Sequence, residues 1–202
     1  TRGLPLVAIP TTAGSGSEAT HFAVVYVDKK KYSVAHEYVM PDIAIVDPAL
    51  TYSMSSRQTA ICGLDALSQS MESIWSVNSS NGSMRSASEA IELVLSNLSL
   101  AVASPSPSSR EAMSRAANLA GQSIDITKTT APHALSYMLT VSHSIPHGHA
   151  VALTLGSFLE FNSAVSPRDI NDPRGVGHVH DVIGRICGLM GVATAVEGRH
   201  AI

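Results

Sequence analysis

Three side chains that can bind a metal lie in segments that are otherwise apolar or built from small residues: Asp65, His133 and His147. A polar side chain in such surroundings is buried on folding, and burial is costly unless the group is hydrogen-bonded or coordinated. One carboxylate and two imidazoles suit Zn²⁺, Fe²⁺ or a similar divalent ion, with a coordination position left open for substrate. By spacing alone, ordinary solvated residues are the commoner explanation, because the chain has 9 histidines. Their apolar setting favours a fold that brings the three together.

The first 54 residues contain short strand-like runs separated by turns. We predict buried strands over residues 4–10 and 41–48, and a strand over 22–27 that turns at 28–31 into a hairpin. Thr-Thr-Ala-Gly-Ser-Gly-Ser follows the first strand. This loop offers backbone N–H groups and hydroxyls that suit a phosphate or a nicotinamide ribose, although an ordinary strand-to-loop turn gives the same pattern.

From Ser55 onward the apolar residues recur with helical spacing. A hydroxyl cap at Ser55 and Ser56 precedes a helix to about Trp75, in which Asp65 and Gln69 share one face. Further helices are expected over these segments: 87–102, 110–125, one carrying His133, one from His147 to about 161, and 180–190.

Composition narrows the class of protein. The 202 residues are 45% hydrophobic, and the net charge of −3 provides no basic surface for nucleic acid or anionic lipid. Two cysteines make no disulfide framework, and we find neither a signal peptide pattern nor a run of about 18 apolar residues. We expect a soluble, cytoplasmic protein that binds a small molecule rather than nucleic acid or a membrane.

Four motifs in register resemble the signatures of the iron-containing (group III) alcohol dehydrogenases. They are Pro10-Thr11-Thr12-Ala13-Gly14-Ser15-Gly16-Ser17-Glu18, Asp47-Pro48, Gly63-Leu64-Asp65-Ala66-Leu67 and Pro146-His147-Gly148. The resemblance implies an α/β plus all-α fold: residues 1–54 as the end of a Rossmann-like nucleotide-binding domain, and 55–202 as a helical metal-binding domain of the dehydroquinate synthase type. It also implies that this sequence lacks most of the first domain and the last helices.

The resemblance carries a set of functional residues with it. It implies that Fe²⁺ or Zn²⁺ is held by the three candidate ligands, and that NAD(H) or NADP(H) is contacted by four residues of the Gly-rich loop and by one lysine of the hairpin turn. Those cofactor residues are Thr11, Thr12, Gly14, Ser15 and Lys31. The implied activity is reduction of an aldehyde to an alcohol, in a homo-oligomer.

One position departs from the family pattern. Many relatives have a third histidine one helical turn after the aspartate, where this chain has Gln69. Zinc enzymes of the same fold use one carboxylate and two histidines, which the chain retains. Tyr137 stands where many relatives have a further histidine facing the substrate. The segments around Asp65, His133 and His147 are most similar to the phosphonoacetaldehyde reductase branch.

These comparisons suggest roles for the remaining candidates. Gln69, Lys128 and Tyr137 are assigned to substrate binding, with Lys128 as a cation for a phosphonate; a solvated loop lysine is the alternative. His149 is the candidate catalytic residue on a proton path, and His143 is a second candidate; a structural role is the alternative for both, and the favoured one for His143. Two other functions stay open: a zinc-dependent polyol dehydrogenase or dehydroquinate synthase-type enzyme, and a non-catalytic helical fragment.

Overall fold

The computed structural model describes residues 3–28 and 30–202. Over that part of the chain it contains two small β-sheets followed by a bundle of helices. The strands are β1 (Val7–Ala8), β2 (Phe22–Val27), β3 (Lys30–Ala35) and β4 (Ile43–Ala44). The helices are α1 (Ser56–Trp75), α2 (Asn81–Ala103), α3 (Pro107–Thr127), α4 (Ala131–His143), α5 (His147–Ser163), α6 (Val176–Met190) and α7 (Ala195–Ala201). The predicted α/β plus all-α fold class is confirmed.

The β-structure consists of two separate pairs. β2 and β3 form an antiparallel hairpin, as predicted, whereas β1 pairs in parallel with β4. The prediction that the segments around β1 and β4 are buried is wrong for this structure. Val7 is 46% exposed and Ile43 54% exposed. Within the described residues, no further strand or helix covers this pair.

Serine side chains set the starts of the long helices. Ser55 caps α1 by accepting a hydrogen bond from the backbone N–H of Gln58. Ser80 and Ser106 begin α2 and α3 with reciprocal capping boxes. The helices predicted from Ser55, over 110–125 and from His147 are confirmed by the observed bounds of α1, α3 and α5. α2 begins six residues before its predicted start, because the polar segment 78–83 contains the cap of the helix. Sequence periodicity missed α7.

The long first helix is central to the bundle. α1 packs against α2, α3, α5 and α6. Its Met71 and Ile74 share one core with Ile91 of α2, Met113 of α3 and Leu155 of α5, all of them almost completely inaccessible. α2 is long and apolar enough to cross a membrane by length and composition alone, a test that core helices also pass, and part of it lies in this core. Cys62 and Cys187 are both buried free thiols.

α5 approaches α1 closely enough for backbone to touch backbone. A Cβ atom added to Gly148 would lie 2.1 Å from the carbonyl oxygen of Ile61 and 2.9 Å from Cβ of Asp65. Only a glycine leaves room for this contact, because the Ile61 carbonyl is part of a rigid helix. The contact places the first turn of α5, with His147, directly beside Asp65.

We predict that Gly148→Ala lowers the free energy of unfolding by roughly 1–3 kcal/mol, since an added methyl group must push the two helices apart. Gly184→Ala is the matched control: it lies inside α6, and a Cβ there meets nothing within 4 Å. That variant should gain stability, by about 1 kcal/mol, through helix propensity. Urea unfolding of both variants measures the difference. Equal stabilities would contradict the close contact.

Candidate metal centre

The three predicted ligands come together from three helices. Asp65 lies in the middle of α1, His133 in the first turn of α4, and His147 is the first residue of α5. Oδ1 of Asp65 lies 3.4 Å from Nε2 of His133 and 3.9 Å from Nε2 of His147. One ligand atom from each residue lies within 4.8 Å of the other two. Ligand atoms around a tetrahedral zinc ion lie roughly 3.3 Å apart, since each bond is about 2.0–2.1 Å long.

The environment of the carboxylate also suits a cation. Asp65 is only 7% exposed, and its Oδ1 has no hydrogen-bond partner among the described residues. This buried carboxylate oxygen has only longer contacts, at 3.4 and 3.9 Å to the two imidazoles, and a divalent ion at this point would satisfy it more completely. His133 is buried as well, whereas the side chain of His147 is 41% exposed. The cluster is therefore closed on the α1 side and reachable from the His147 side.

Each histidine is held by a hydrogen bond at its other ring nitrogen. Nδ1 of His133 donates to Oε1 of Glu72, a carboxylate with no exposed surface. Nδ1 of His147 lies 3.3 Å from Oγ of Ser136, whose hydroxyl already donates to the carbonyl of His133 at 2.7 Å. The hydroxyl oxygen therefore accepts from His147. Both rings keep Nε2 for the shared position beside Asp65.

The charge state of His133 follows from these neighbours. Burial on its own would lower the pKa of His133, but the hydrogen bonds and negative charges of Asp65 and Glu72 outweigh it and raise the pKa from 6.5 to about 9. At neutral pH without a metal, the imidazole is therefore protonated and balances part of the buried negative charge. A cation that binds at Nε2 must displace this proton.

A cleft of about 610 Å³ opens beside the cluster. It lies between the β2–β3 hairpin on one side and the ends of α3 and α4 on the other, and its walls combine hydroxyl groups with a few apolar side chains. The lining residues are Ser15, Ser17, Thr20, Phe22, Ala23, Val24, Ser33, Ala35, Asp65, Gln69, Ile124, Lys128, Thr129, His133, Tyr137 and His147. The three ligands thus face a space large enough for a small molecule.

The Gly-rich loop reaches this cleft through its middle. Gly16 adopts φ +59° and packs on Gly121 of α3, where a Cβ atom would lie 2.2 Å from the Gly16 carbonyl oxygen. Ser15 lines the cleft, and its carbonyl accepts a hydrogen bond of 3.3 Å from Nε2 of Gln69. Thr11, Thr12 and Gly14 do not line it. Of the predicted cofactor residues in this loop, the structure therefore brings only Ser15 to the cleft.

The three predicted substrate-binding residues all line the cleft. Gln69 is buried beside Asp65, and its Oε1 has no hydrogen-bond partner among the described residues. Burial, followed by the negative charge of Glu72, raises the pKa of Tyr137, so its hydroxyl keeps its proton at neutral pH. Lys128 is exposed at the end of α3 and has φ +58°, an unfavourable conformation for a residue with a side chain.

Two further predicted residues, both histidines, are not found at the cleft. His149 is exposed and does not line it, because a residue two positions after His147 projects from another side of α5. The exposed His143 at the end of α4 does not line it either. The side chain of Lys31 lies outside the described residues. The structure therefore does not favour the catalytic role predicted for His149.

Sequence reasoning missed the residues that hold the ligands. Glu72 follows Asp65 by seven positions, two helical turns along the same face, and this spacing within a small-residue run was the available signal. Ser136 and Thr130, whose N–H and hydroxyl both donate to Oε2 of Glu72, gave no such signal, because hydroxyl residues are frequent throughout this chain. Their roles depend on how α4 packs against α1.

Comparison with known proteins identifies the kind of chain that builds this site. Residues 59–201 match the Fe-containing alcohol dehydrogenase family, C-terminal part, and residues 1–48 match the iron-containing alcohol dehydrogenase description. The phosphonoacetaldehyde reductase of Streptomyces viridochromogenes is 38% identical over 92% of this chain and 48% of that protein. The sulfoacetaldehyde reductase of Bilophila wadsworthia is 34% identical over 81% of this chain and 43% of that protein.

The fold of the chain is also similar to that of a solved structure. The crystal structure of sulfoacetaldehyde reductase from Bifidobacterium kashiwanohense in complex with NAD+ matches with a TM-score of 0.78 and 38% identity. The match covers 94% of this chain and 53% of that one. The chain therefore spans about half the length of the relatives it matches.

We predict that the metal-free protein loses stability as the pH rises from 6.5 to about 9. The folded state binds the His133 proton more tightly than the unfolded state does, so this contribution is fully present below pH 6.5 and disappears through about pH 9. Urea unfolding in the presence of a chelator measures the profile. His133→Asn is the control, and it should flatten the profile in this window. Parallel profiles for the two proteins would contradict the raised pKa.

Proposed function

The chain belongs to the iron-containing alcohol dehydrogenase family, and we propose that it supplies the metal and substrate site of an oxidoreductase that reduces a small aldehyde to an alcohol. The observation that carries this proposal is the position of the Asp65, His133 and His147 cluster, which opens into a hydroxyl-lined cleft. Buried ligands on one side and open space on the other are typical of a catalytic rather than a purely structural metal site.

The three ligands would hold Fe²⁺ or Zn²⁺. Such an ion supplies Lewis-acid polarisation of a carbonyl oxygen. The chain's own contribution is orientation, since Glu72 and Ser136 hold the two imidazoles and the packing of α1 holds Asp65. Gln69 stands next to the cluster with an unpaired amide oxygen, which is suited to accept a hydrogen bond from a substrate hydroxyl.

The cofactor would enter from the side of the Gly-rich loop and the hairpin. We propose NAD(H) or NADP(H) as the hydride source, bound in part by Thr11, Thr12, Gly14, Ser15 and Lys31 as the family resemblance implies. Support for NAD(H) comes from the similarity to a reductase whose crystal structure contains NAD+. Under this proposal, residues 1–54 belong to the nucleotide-binding domain and residues 55–202 belong to the metal-binding domain.

The substrate we favour is an aldehyde that carries a phosphonate or sulfonate group. Two similar proteins are reductases of phosphonoacetaldehyde and sulfoacetaldehyde. The described residues that line the cleft include one lysine, Lys128, and the hydroxyls of Ser15 and Thr129. The hydroxyls of Ser17 and Thr20 already donate to oxygens of the protein. A positive charge together with hydroxyl donors is the chemistry that recognises a tetrahedral oxyanion.

The alcohol oxygen also needs a proton. Among the described residues that line the cleft, the titratable side chains outside the cluster are Lys128 and Tyr137. The raised pKa of Tyr137 keeps its hydroxyl protonated, so it can donate to an oxygen that gains negative charge. We therefore propose Tyr137, in place of His149, as the donor on the substrate side.

The first test is metal content and activity of the purified protein. We expect close to one divalent ion per chain, aldehyde reduction with NADH or NADPH that a chelator abolishes, and recovery with Zn²⁺ or Fe²⁺. Asp65→Asn should lose most of the metal and the activity together. Asp181→Asn, an exposed change on α6, should keep both. A well-folded protein that binds no divalent metal would refute the proposal.

The second test concerns Lys128. Lys128→Ala should raise KM for sulfoacetaldehyde or phosphonoacetaldehyde roughly fivefold, because an ion pair at an exposed site contributes about 1 kcal/mol. KM for propionaldehyde, which lacks the charged group, should not change, and Lys128→Arg should retain most of the binding.

Lys128→Gly separates charge from backbone conformation. This variant removes the same charge but relieves the positive φ, so it should be more stable than wild type and still bind the anionic aldehyde poorly. An unchanged KM in both Lys128→Ala and Lys128→Gly would exclude Lys128 as the anion-binding residue.

A further inference from the structure

Glu72 uses its two carboxylate oxygens for two different tasks. Oε1 accepts the Nδ1 hydrogen of His133. Oε2 accepts both the backbone N–H and the hydroxyl of Thr130, the residue that precedes the first turn of α4. One buried carboxylate therefore holds the ring of a metal ligand and the start of the helix that carries this ligand.

The network continues to the chain's single tryptophan. The indole N–H of Trp75 donates to the hydroxyl oxygen of Thr130 at 2.9 Å. Trp75 and Glu72 are neighbours on one face of α1, three positions apart, so Thr130 is held by two side chains of the same helix. The hydrogen bonds form a continuous series from Trp75 through Thr130 and Glu72 to His133.

We propose that Glu72 is a positioning residue that holds His133 with Nε2 facing Asp65 and thereby raises the affinity of the site for a divalent cation. This inference rests on the metal site of the proposed function. A carboxylate that accepts from a ligating imidazole fixes its tautomer and orientation and increases its basicity.

The two histidines differ in the strength of this support. His133 has an ionised partner, whereas His147 has the neutral hydroxyl of Ser136 at 3.3 Å. A hydrogen bond to an ionised acceptor is roughly twice as strong as one between neutral groups. Of these two hydrogen bonds, the one to Glu72 therefore contributes more to the orientation of its ring than the one to Ser136.

Charge supports the same assignment. With both imidazoles neutral, a divalent ion is balanced by the two buried carboxylates of Asp65 and Glu72. Without Glu72 the ion would keep one uncompensated positive charge next to a closed core, which lowers affinity. The second carboxylate thus fits a divalent ion electrostatically as well as geometrically.

The experiment is a zinc titration of the metal-free protein against a competing chelator. Glu72→Gln should weaken Zn²⁺ binding roughly 10–100-fold, and Ser136→Ala should weaken it less. Glu18→Gln is the matched control, because Glu18 is also a buried carboxylate, with an Asn118 amide as its partner rather than a ligand. That variant should bind zinc like wild type.

The possible outcomes distinguish a failure of this inference from a failure of the proposed function. Equal zinc affinities for wild type and a folded Glu72→Gln variant would overturn the positioning role while leaving the metal site intact. Failure of the wild-type protein to bind either Zn²⁺ or Fe²⁺ would refute the proposed function itself. The fluorescence emission of Trp75 provides a second measurement. Zinc binding should change this emission in the wild-type protein and should change it much less in Thr130→Val.

If Glu72→Gln does not fold, the wild-type protein still tests the inference. Nitrogen NMR of the zinc-loaded protein should show His133 with a proton on Nδ1 and the metal at Nε2. A metal at Nδ1, or an Nδ1 without its proton, would overturn the proposal, because Glu72 would then have no hydrogen to accept.

Discussion

Two carboxylates buried on one helix impose the main physical constraint on this structure. Asp65 and Glu72 lie two turns apart on the face of α1 that meets α4 and α5, and both are almost inaccessible. Buried negative charge must be compensated. The first turn of α4 meets this need at Glu72, through Thr130 and His133. Asp65 remains incompletely paired, which makes the space beside its Oδ1 the candidate position for a metal ion.

The helices and the clustering of the three candidate ligands were predictable from sequence because both leave local signals. Serine caps and apolar spacing defined α1, and each ligand is a rare polar residue within an apolar run. The burial predicted for β1 and β4 was wrong, because burial depends on neighbouring layers that a strand's own sequence does not contain. For the same reason Glu72 was missed: its partners come from α4, about sixty positions later in the sequence.

The substrate side of the candidate site is more exposed than the side that would hold the metal. Glu72 and His133 are held by a hydrogen bond to each other within a packed core. Lys128 is exposed, and its unfavourable φ is held by the end of α3, where its N–H donates to the carbonyl of Ile124 at 2.8 Å. A strained, exposed residue contributes little to the stability of the fold. The strain at Lys128 is therefore consistent with the binding role proposed for it.

The charge balance of the cluster explains why an anionic substrate would need that lysine. A divalent ion beside the two carboxylates of Asp65 and Glu72 would leave the buried site with a net charge close to zero. The ion could then attract an aldehyde oxygen by direct contact, but the site would not attract a phosphonate or sulfonate group at a distance. Attraction for such a group must come from another charge. Among the described residues that line the cleft, Lys128 is the lysine or arginine available for this purpose. Metal and lysine would then act on opposite ends of the same small molecule.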